Sequence, residues 1–436
     1  MRYLAFLPVL IELVACSQPY RCLMYLSGYA FHSRPSLQHR LMRGRQHPIV
    51  PEYALTRHIT HVALAFMKSD VFNAEAPTEW PLFTTISETR PKFYPGTKIV
   101  VSIGGWGDTA GFDVAARDKA SRGRWVENVA RMVEDMGADG RVHNLMVGGI
   151  LTMVQVSTST GSTPGMYPQF SYRPCSILHS LTCPSGNGDD YKKVPNSERT
   201  WQIQAFPLLI KSLREALPPH KLLIAALPSL ERDMMAYTPE TVPEILAQLD
   251  FVNVMTFDML NRRDNVTGHQ AGVVGSRDAV GAYVDRGAEA GKMNLGLPFF
   301  VKWFETEACA PGKALGCPMP VLEDPATGDD LGRAGAFSFH DEVPAGLGPS
   351  FNRALTEGRY DEVGGGYYYW DRSENRFWTF DTPEAVRRKV PALLEGMGLG
   401  GVFAWGLGED ADEFARFKAV DLEMERMKRK VSSKEL

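Results

Sequence analysis

Two aspartates and a set of aromatic rings stand where this chain could do chemistry. Asp139, in Gly137-Ala138-Asp139-Gly140, follows an amphipathic stretch, and Asp258 closes the run Met255-Thr256-Phe257-Asp258. A carboxyl group at the end of a buried strand can deliver a proton or stabilise a developing positive charge. Both have plainer uses: Asp139 beside a glycine suits a turn, and Asp258 can cap the loop that follows it. Ser102-Ile103-Gly104-Gly105-Trp106 ends the run Ile99-Val100-Val101. Two glycines at the carboxyl end of a strand leave room for a ligand or a second backbone. Trp405, closing Gly401-Val402-Phe403-Ala404-Trp405, is either a ligand-facing ring or a core residue. Trp106, Trp303 and Tyr369 offer further aromatic faces, for stacking or for packing.

Strands must hold these residues in place. Cys22–Leu26, Ile59–Met67, Lys98–Gly104, Leu222–Leu227, Phe251–Phe257, Met293–Phe300 and Gly401–Trp405 are apolar runs of strand length. Helical periodicity lies between several of them: Trp125, Val126, Val129, Met132, Val133 and Met136, then Phe206, Leu209, Ile210, Leu213 and Leu217, then Ala385 to Met397. Strands alternating with helices predict an α/β fold with a parallel sheet. Residues 304–376 are rich in Gly, Pro and aromatics, including Gly364-Gly365-Gly366-Tyr367-Tyr368-Tyr369-Trp370, and predict an insertion before the last strand that builds one wall of a cleft. A chain of 436 residues with 44% hydrophobic content can bury one large core.

In order and content these motifs resemble glycoside hydrolase family 18, the chitinases. There a Ser-x-Gly-Gly strand is followed by a strand reading Asp-Gly-x-Asp-x-Asp-x-Glu. Here the second motif breaks off after Asp139-Gly140, and Arg141 to Ser185 does not read as barrel sequence. A reading-frame shift explains the break. Ser157-Thr158-Ser159-Thr160-Gly161-Ser162-Thr163-Pro164 can be encoded TCG ACA TCG ACT GGG AGT ACC CCN. From its third base this reads GAC ATC GAC TGG GAG TAC CCC, which is Asp-Ile-Asp-Trp-Glu-Tyr-Pro. The flanks fit two unspliced introns: Gly140 can hold a GT donor, Leu151-Thr152 the branch sequence CTAAC and Gln155 a CAG acceptor. Gly165-Met166-Tyr167 can spell G-GTATGT, Leu181-Thr182 a second CTAAC, and Ser185 the terminal AG. The segments measure about 47 and about 61 nucleotides, so the frame is lost after the first and restored after the second, and such a scar is set aside from the fold. A genuine loop insertion is the alternative. Tyr29 to Arg45, with its arginines and histidines, is another such segment or a basic surface loop.

The resemblance implies a (β/α)8 TIM barrel with an insertion between its seventh and eighth strands, the fourth strand being disrupted in this translation. It implies hydrolysis of β-1,4-linked N-acetylglucosamine in chitin and chito-oligosaccharides. Two alternatives stay open: an endo-N-acetyl-β-glucosaminidase acting on N-glycans, and an acid-less, lectin-like chitin-binding protein. Asp139 would begin a carboxylate ladder, and Asp258 would meet the substrate N-acetyl group. Phe257 stands where the family has a Tyr hydroxyl. Ser102, Gly104, Gly105, Trp106 and Met255 would line the substrate, and Trp405 would form the floor beneath the reacting sugar. Alternate residues on a strand point the same way, so Asp-x-Asp-x-Glu files three carboxyls toward one cleft. They cannot all ionise, which keeps the terminal Glu protonated as an acid for the glycosidic oxygen. In this family the substrate's own acetamido oxygen attacks the anomeric carbon. Neither metal nor cofactor is called for. The general-acid Glu itself is missing, because residues 139–185 contain no Glu.

A net charge of −4 and a pI near 6.2 give no electrostatic case for nucleic acid or an anionic membrane. Met1 to Ser17 has Arg2, an apolar Leu4 to Val14 and a small-residue end, which reads as a secretory signal too short to span a bilayer. A secreted, soluble monomer is the expectation, with a barrel domain over 18–420 and a charged tail over 421–436. Asn265-Val266-Thr267 is a glycosylation sequon, usable in a secretory route. Cys309 and Cys317 flank a Pro-Gly loop and can pair there, while Cys22 reads as a buried thiol. Cys16 falls in the signal, and Cys175 and Cys183 in the anomalous segment.

Overall fold

The computed structural model describes residues 20–28, 49–105, 108, 110–137, 147–152, 198–410 and 413–433. The proposed leader, Tyr29 to Arg45, Trp106, Asp139, Cys175, Cys183 and most of 141–185 lie outside the described residues. Eight parallel strands form a closed barrel: β1 (Arg21–Ser27), β2 (His61–Met67), β3 (Lys98–Gly104), β4 (Val147–Thr152), β5 (Leu223–Leu227), β6 (Phe251–Val254), β7 (Met293–Pro298) and a last strand, Gly401–Trp405. Helices cover the outside of the barrel, so strands buried on both faces read as continuous apolar runs. Leu223–Leu227 and Gly401–Trp405 are buried throughout.

The fourth slot is filled from the anomalous segment. Val147–Thr152 pairs with β3 from Ile99↔Val147 to Gly104↔Thr152, and with β5 through Gly149↔Leu223 to Leu151↔Ala225. Four expected strands are shorter than read, Leu222–Leu227 by its first residue. Backbone pairing begins at His61 instead of Ile59, ends at Val254 instead of Phe257, and ends at Pro298 instead of Phe300. After Val254 the chain turns on local bonds, Thr256 N to Val254 O at 2.7 Å and Phe257 N to Met255 O at 2.7 Å.

The insertion between the seventh and eighth barrel strands starts at once. It comprises β8 (Phe300–Glu305), β9 (Ala334–Ser338), β10 (Arg359–Asp361), β11 (Gly366–Asp371) and β12 (Arg376–Thr379), ordered β10-β11-β12-β8-β9 and antiparallel. The helix Gly348–Glu357, with Leu347 just before it, seals one apolar cluster of this sheet by setting Leu347, Phe351 and Ala354 against Phe337, Trp378 and Phe380. A second cluster joins Phe304, Tyr368 and Phe377 to Met319 and Leu322 and to Ala314 of the loop closed by a Cys309–Cys317 disulfide, whose Cα atoms are 5.4 Å apart. The last barrel strand, β13 (Gly401–Trp405), then returns to pair with both β7 and β1.

The stretch from 421 is no tail up to Ser433. It continues the helix Ala415–Ser432, which buries Val420, Met424 and Met427. From that helix Asp421 and Glu425 take the two ring nitrogens of His58, at 2.6 and 2.9 Å. Across the barrel a polar chain joins three strands. Arg21 Nε donates to Asn294 Oδ1 at 2.9 Å, Asn294 Nδ2 to Asn253 Oδ1 at 2.9 Å, and Asn253 Nδ2 to the Tyr25 hydroxyl at 3.3 Å. Cys22 is a free, fully buried thiol, and burial pushes it well up. Among the described residues no helix is long and apolar enough to cross a membrane.

Candidate active site

Barrels present chemistry at the carboxyl ends of their strands, and the candidate residues that are described sit at three of those ends. At β3, Gly104 and Gly105 have φ of 105° and 99°, backbone that side chains other than hydrogen resist. A Cβ on Gly105 would lie 2.5 Å from the Phe66 ring. The room left by the glycine is therefore taken by an aromatic side chain from the end of β2. Phe66 in turn stacks on Trp405, with centroids 5.3 Å apart and planes 15° off parallel. Ser102 is fully buried, and its Oγ has no hydrogen-bond partner among the described residues. Just past the glycines, Asp108 pins the loop to the end of β2, accepting from Ser69 N and Ser69 Oγ at 2.6 Å each.

The end of β6 brings Met255, Phe257 and Asp258 into the interior. Met255 N donates to Leu227 O at 2.8 Å, continuing the link to β5. Thr256 Oγ1 donates to Gly296 O and accepts from Gly296 N, each at 2.9 Å, which ties β6 to β7. Phe257 is buried against Phe300 and Phe403, with centroids 5.9 and 5.8 Å away. Asp258 adopts φ 56° and is buried, and Lys302 Nζ donates to its Oδ1 at 2.7 Å. Burial pushes the Asp258 carboxyl up, and Lys302 pulls against that. Its Oδ2 has no partner among the described residues. Lys302 is equally buried and also donates to Leu260 O at 2.7 Å.

At the end of β13, Trp405 is 4% exposed and its indole Nε1 is unpartnered among the described residues. Tyr25 packs on it at 5.5 Å, so the polar chain through the barrel ends against this ring. The short 3-10 turn Leu407–Glu409 follows, with Glu409 N donating to Gly406 O at 3.0 Å. Burial, reinforced by Asp341, pushes the Glu409 carboxyl well above the usual range, against a hydrogen bond from Ser338.

Sequence reasoning missed Tyr25, Phe66, Asp108, Lys302 and Glu409. Lys302 has a readable signal, a lysine in an otherwise apolar run, whereas Tyr25 and Phe66 look like ordinary strand residues. Trp303 and Tyr369 belong to the insertion's packing. Both lie against the cluster under the helix Gly348–Glu357, with Arg376 over the Trp303 ring at 5.3 Å and the Tyr369 hydroxyl donating to Glu357 at 3.0 Å. Asp139 and Trp106 cannot be placed, since they fall outside the described residues.

The chain is 23% identical over 319 residues to Chitinase 1 of Aphanocladium album, covering 71% of this chain and 60% of that protein. It is 22% identical over 416 residues to Probable chitinase 10 of Drosophila melanogaster, covering 91% of this chain and 15% of that one. It thus spans less than two thirds of either relative. A solved chitinase from Rhizomucor miehei superposes with a TM-score of 0.61 at 17% identity, over 93% of this chain and all of that one, which fixes the shared fold. The sequence profile of glycosyl hydrolases family 18 matches residues 21–142 and 180–410, most of the chain. The chain belongs to glycosyl hydrolases family 18.

Proposed function

We propose that the gene encodes a secreted chitinase, hydrolysing β-1,4 bonds between N-acetylglucosamine units, and that the written chain lacks its acid because two introns are read through. The observation that carries this is the interruption of the family match. It stops at 142 and resumes at 180, bracketing the stretch in which the shifted frame encodes Asp-Ile-Asp-Trp-Glu-Tyr. The vacant polar positions support it. Ser102 stands beside the fourth slot, opposite Ile150 in register, and its buried hydroxyl has no partner among the described residues. A strand carrying carboxyls would give that hydroxyl an acceptor, where an apolar one does not.

In the restored chain the motif's Glu protonates the glycosidic oxygen and the substrate acetamido oxygen attacks the anomeric carbon. Asp258 has Lys302 on Oδ1, so Oδ2 is the atom free to orient the acetamido group. Trp405, held flat by Phe66, supplies an apolar floor for the sugar ring. The lectin-like alternative applies to the written chain, which keeps the floor without the acid. The test is to sequence transcripts across the codons of Gly140 to Gly186 and assay the encoded protein on chito-oligosaccharides. A spliced message joining those codons through a short exon, with an active product, is expected. Transcripts that run unspliced in every condition would overturn the splicing reading, and a spliced product without activity would overturn the hydrolase reading.

A further inference from the structure

We infer that Asn265 accepts an N-glycan only while the Cys309–Cys317 loop is open, so that glycan transfer and disulfide closure compete for the same stretch of chain. The inference rests on the secretory reading of the leader and is independent of the hydrolase reading.

Asn265 is exposed, but the rest of its sequon is built into the fold. Val266 pairs with Pro318 in an isolated antiparallel bridge, and Met319 N donates to Asn265 O at 2.8 Å. Thr267 N donates to Cys317 O at 2.9 Å, and Gly316 N to Thr267 O at 3.0 Å. The Thr267 hydroxyl, in a residue only 4% exposed, donates to Ala314 O at 2.6 Å and accepts from Cys317 N at 2.9 Å. A sequon is recognised through its Asn and its Ser or Thr hydroxyl together. Here that hydroxyl is enclosed and its hydrogen bonds are already made, by the residues that the disulfide gathers. The exposed Asn265 side chain leaves room for a glycan attached earlier to remain.

Glycan transfer forms a bond from Asn265 Nδ2 to the anomeric carbon of a lipid-diphosphate-linked oligosaccharide. The bond from that carbon to the phosphate oxygen breaks, the lipid diphosphate leaves, and the Nδ2 proton passes to solvent. Loop closure joins two thiols into one S–S bond and passes two electrons and two protons to a disulfide-bearing oxidant, which leaves as a dithiol. The ring spans a separation of only 8 residues, and it restricts the chain facing Thr267 before the rest of the insertion is complete.

The test is to express the full chain in a eukaryotic secretory host and measure Asn265 occupancy by mass spectrometry, reading secreted and cell-retained chains alike. Partial occupancy is expected in the unaltered chain. It should rise about twofold or more in the Cys309→Ser/Cys317→Ser variant, or in the unaltered chain synthesised during a dithiothreitol pulse. A second measurement does not depend on the variant folding. Unglycosylated, oxidised, folded protein should stay unmodified by oligosaccharyltransferase and lipid-linked donor, while the same protein reduced and unfolded should be modified. Equal occupancy with the loop open and closed, modification of the folded oxidised protein, or no glycan on any open-loop chain would each overturn the inference.

Discussion

The barrel wall around β6, β7 and β13 and the wall around β3, β4 and β5 are closed by the same backbone pairing, and they differ in what their strand ends carry. In the first wall Asp258 holds Lys302, Thr256 clasps both backbone groups of Gly296, and Trp405 lies on Phe66. In the second, Ile150 is the register partner of Ser102 and Thr152 that of Gly104, so the fourth strand ends without a carboxyl group. Closing a barrel requires an extended apolar segment with its amides and carbonyls paired, which Val147–Thr152 meets with two glycines in its middle. Catalysis requires one particular side chain at one strand end. The first demand is loose enough for a segment outside the family match to satisfy; the second is not.

The largest effect that can break this contrast is catalytic. General-acid catalysis contributes about 10²–10⁴-fold, so the protein with the restored motif should exceed the written chain by that factor on chito-oligosaccharides, measured as initial rates under one condition. Equal rates would mean that the acid lies elsewhere, with Glu409 the first residue to substitute. Next comes the ion pair of the intact wall. Lys302→Met strands a buried aspartate and should cost about 3–5 kcal/mol in urea unfolding, and adding Asp258→Asn should recover most of it. If the single variant is neutral, that wall is no better built than its counterpart. Gly105→Ala, which drives a methyl into Phe66 and strains a left-handed backbone, should cost about 1–3 kcal/mol and disturb the Trp405 environment, seen as a shift in its fluorescence.

The smallest effect is a pH slope from the loop after β5, beside the weak wall. Burial pushes the Asp233 carboxyl up to about 7 from 3.8, with Arg232 and Arg263 opposing and Asp264 adding. The folded state therefore keeps this proton when the unfolded chain has lost it. That contribution is fully present below about pH 4 and fades as pH rises through 7. Asp233→Asn should flatten the decline of melting temperature between pH 4 and 7. An unchanged slope would assign the proton to another group.

The strands that were easiest to read, Lys98–Gly104 and Gly401–Trp405, are predominantly apolar runs whose glycines mark a close approach. The end of β6 misled because Met255-Thr256-Phe257 has strand composition, while the backbone there is turned by local bonds that composition does not encode. The charge-rich end of the chain hid Val420, Met424 and Met427, spaced as a helix stripe but outnumbered by Lys, Arg and Glu. The Asp258–Lys302 pair and the chain Arg21–Asn294–Asn253–Tyr25 were invisible for another reason. The members stand as single polar residues in apolar stretches far apart in the chain, Arg21 and Tyr25 alone sharing a strand, and only the tertiary fold makes them neighbours.

That closure also has a direction in time. β1 is joined to β13 at Arg21↔Gly401, and the Arg21 guanidinium reaches Gly291 O at 2.7 Å across the same seam, where Gly400 leaves it space. The helix that follows then supplies Asp421 and Glu425 to His58, with a separation of 363 residues between His58 and Asp421 along the chain. One edge of the first strand therefore has no barrel partner until β13, about 380 residues further along the chain, is in place.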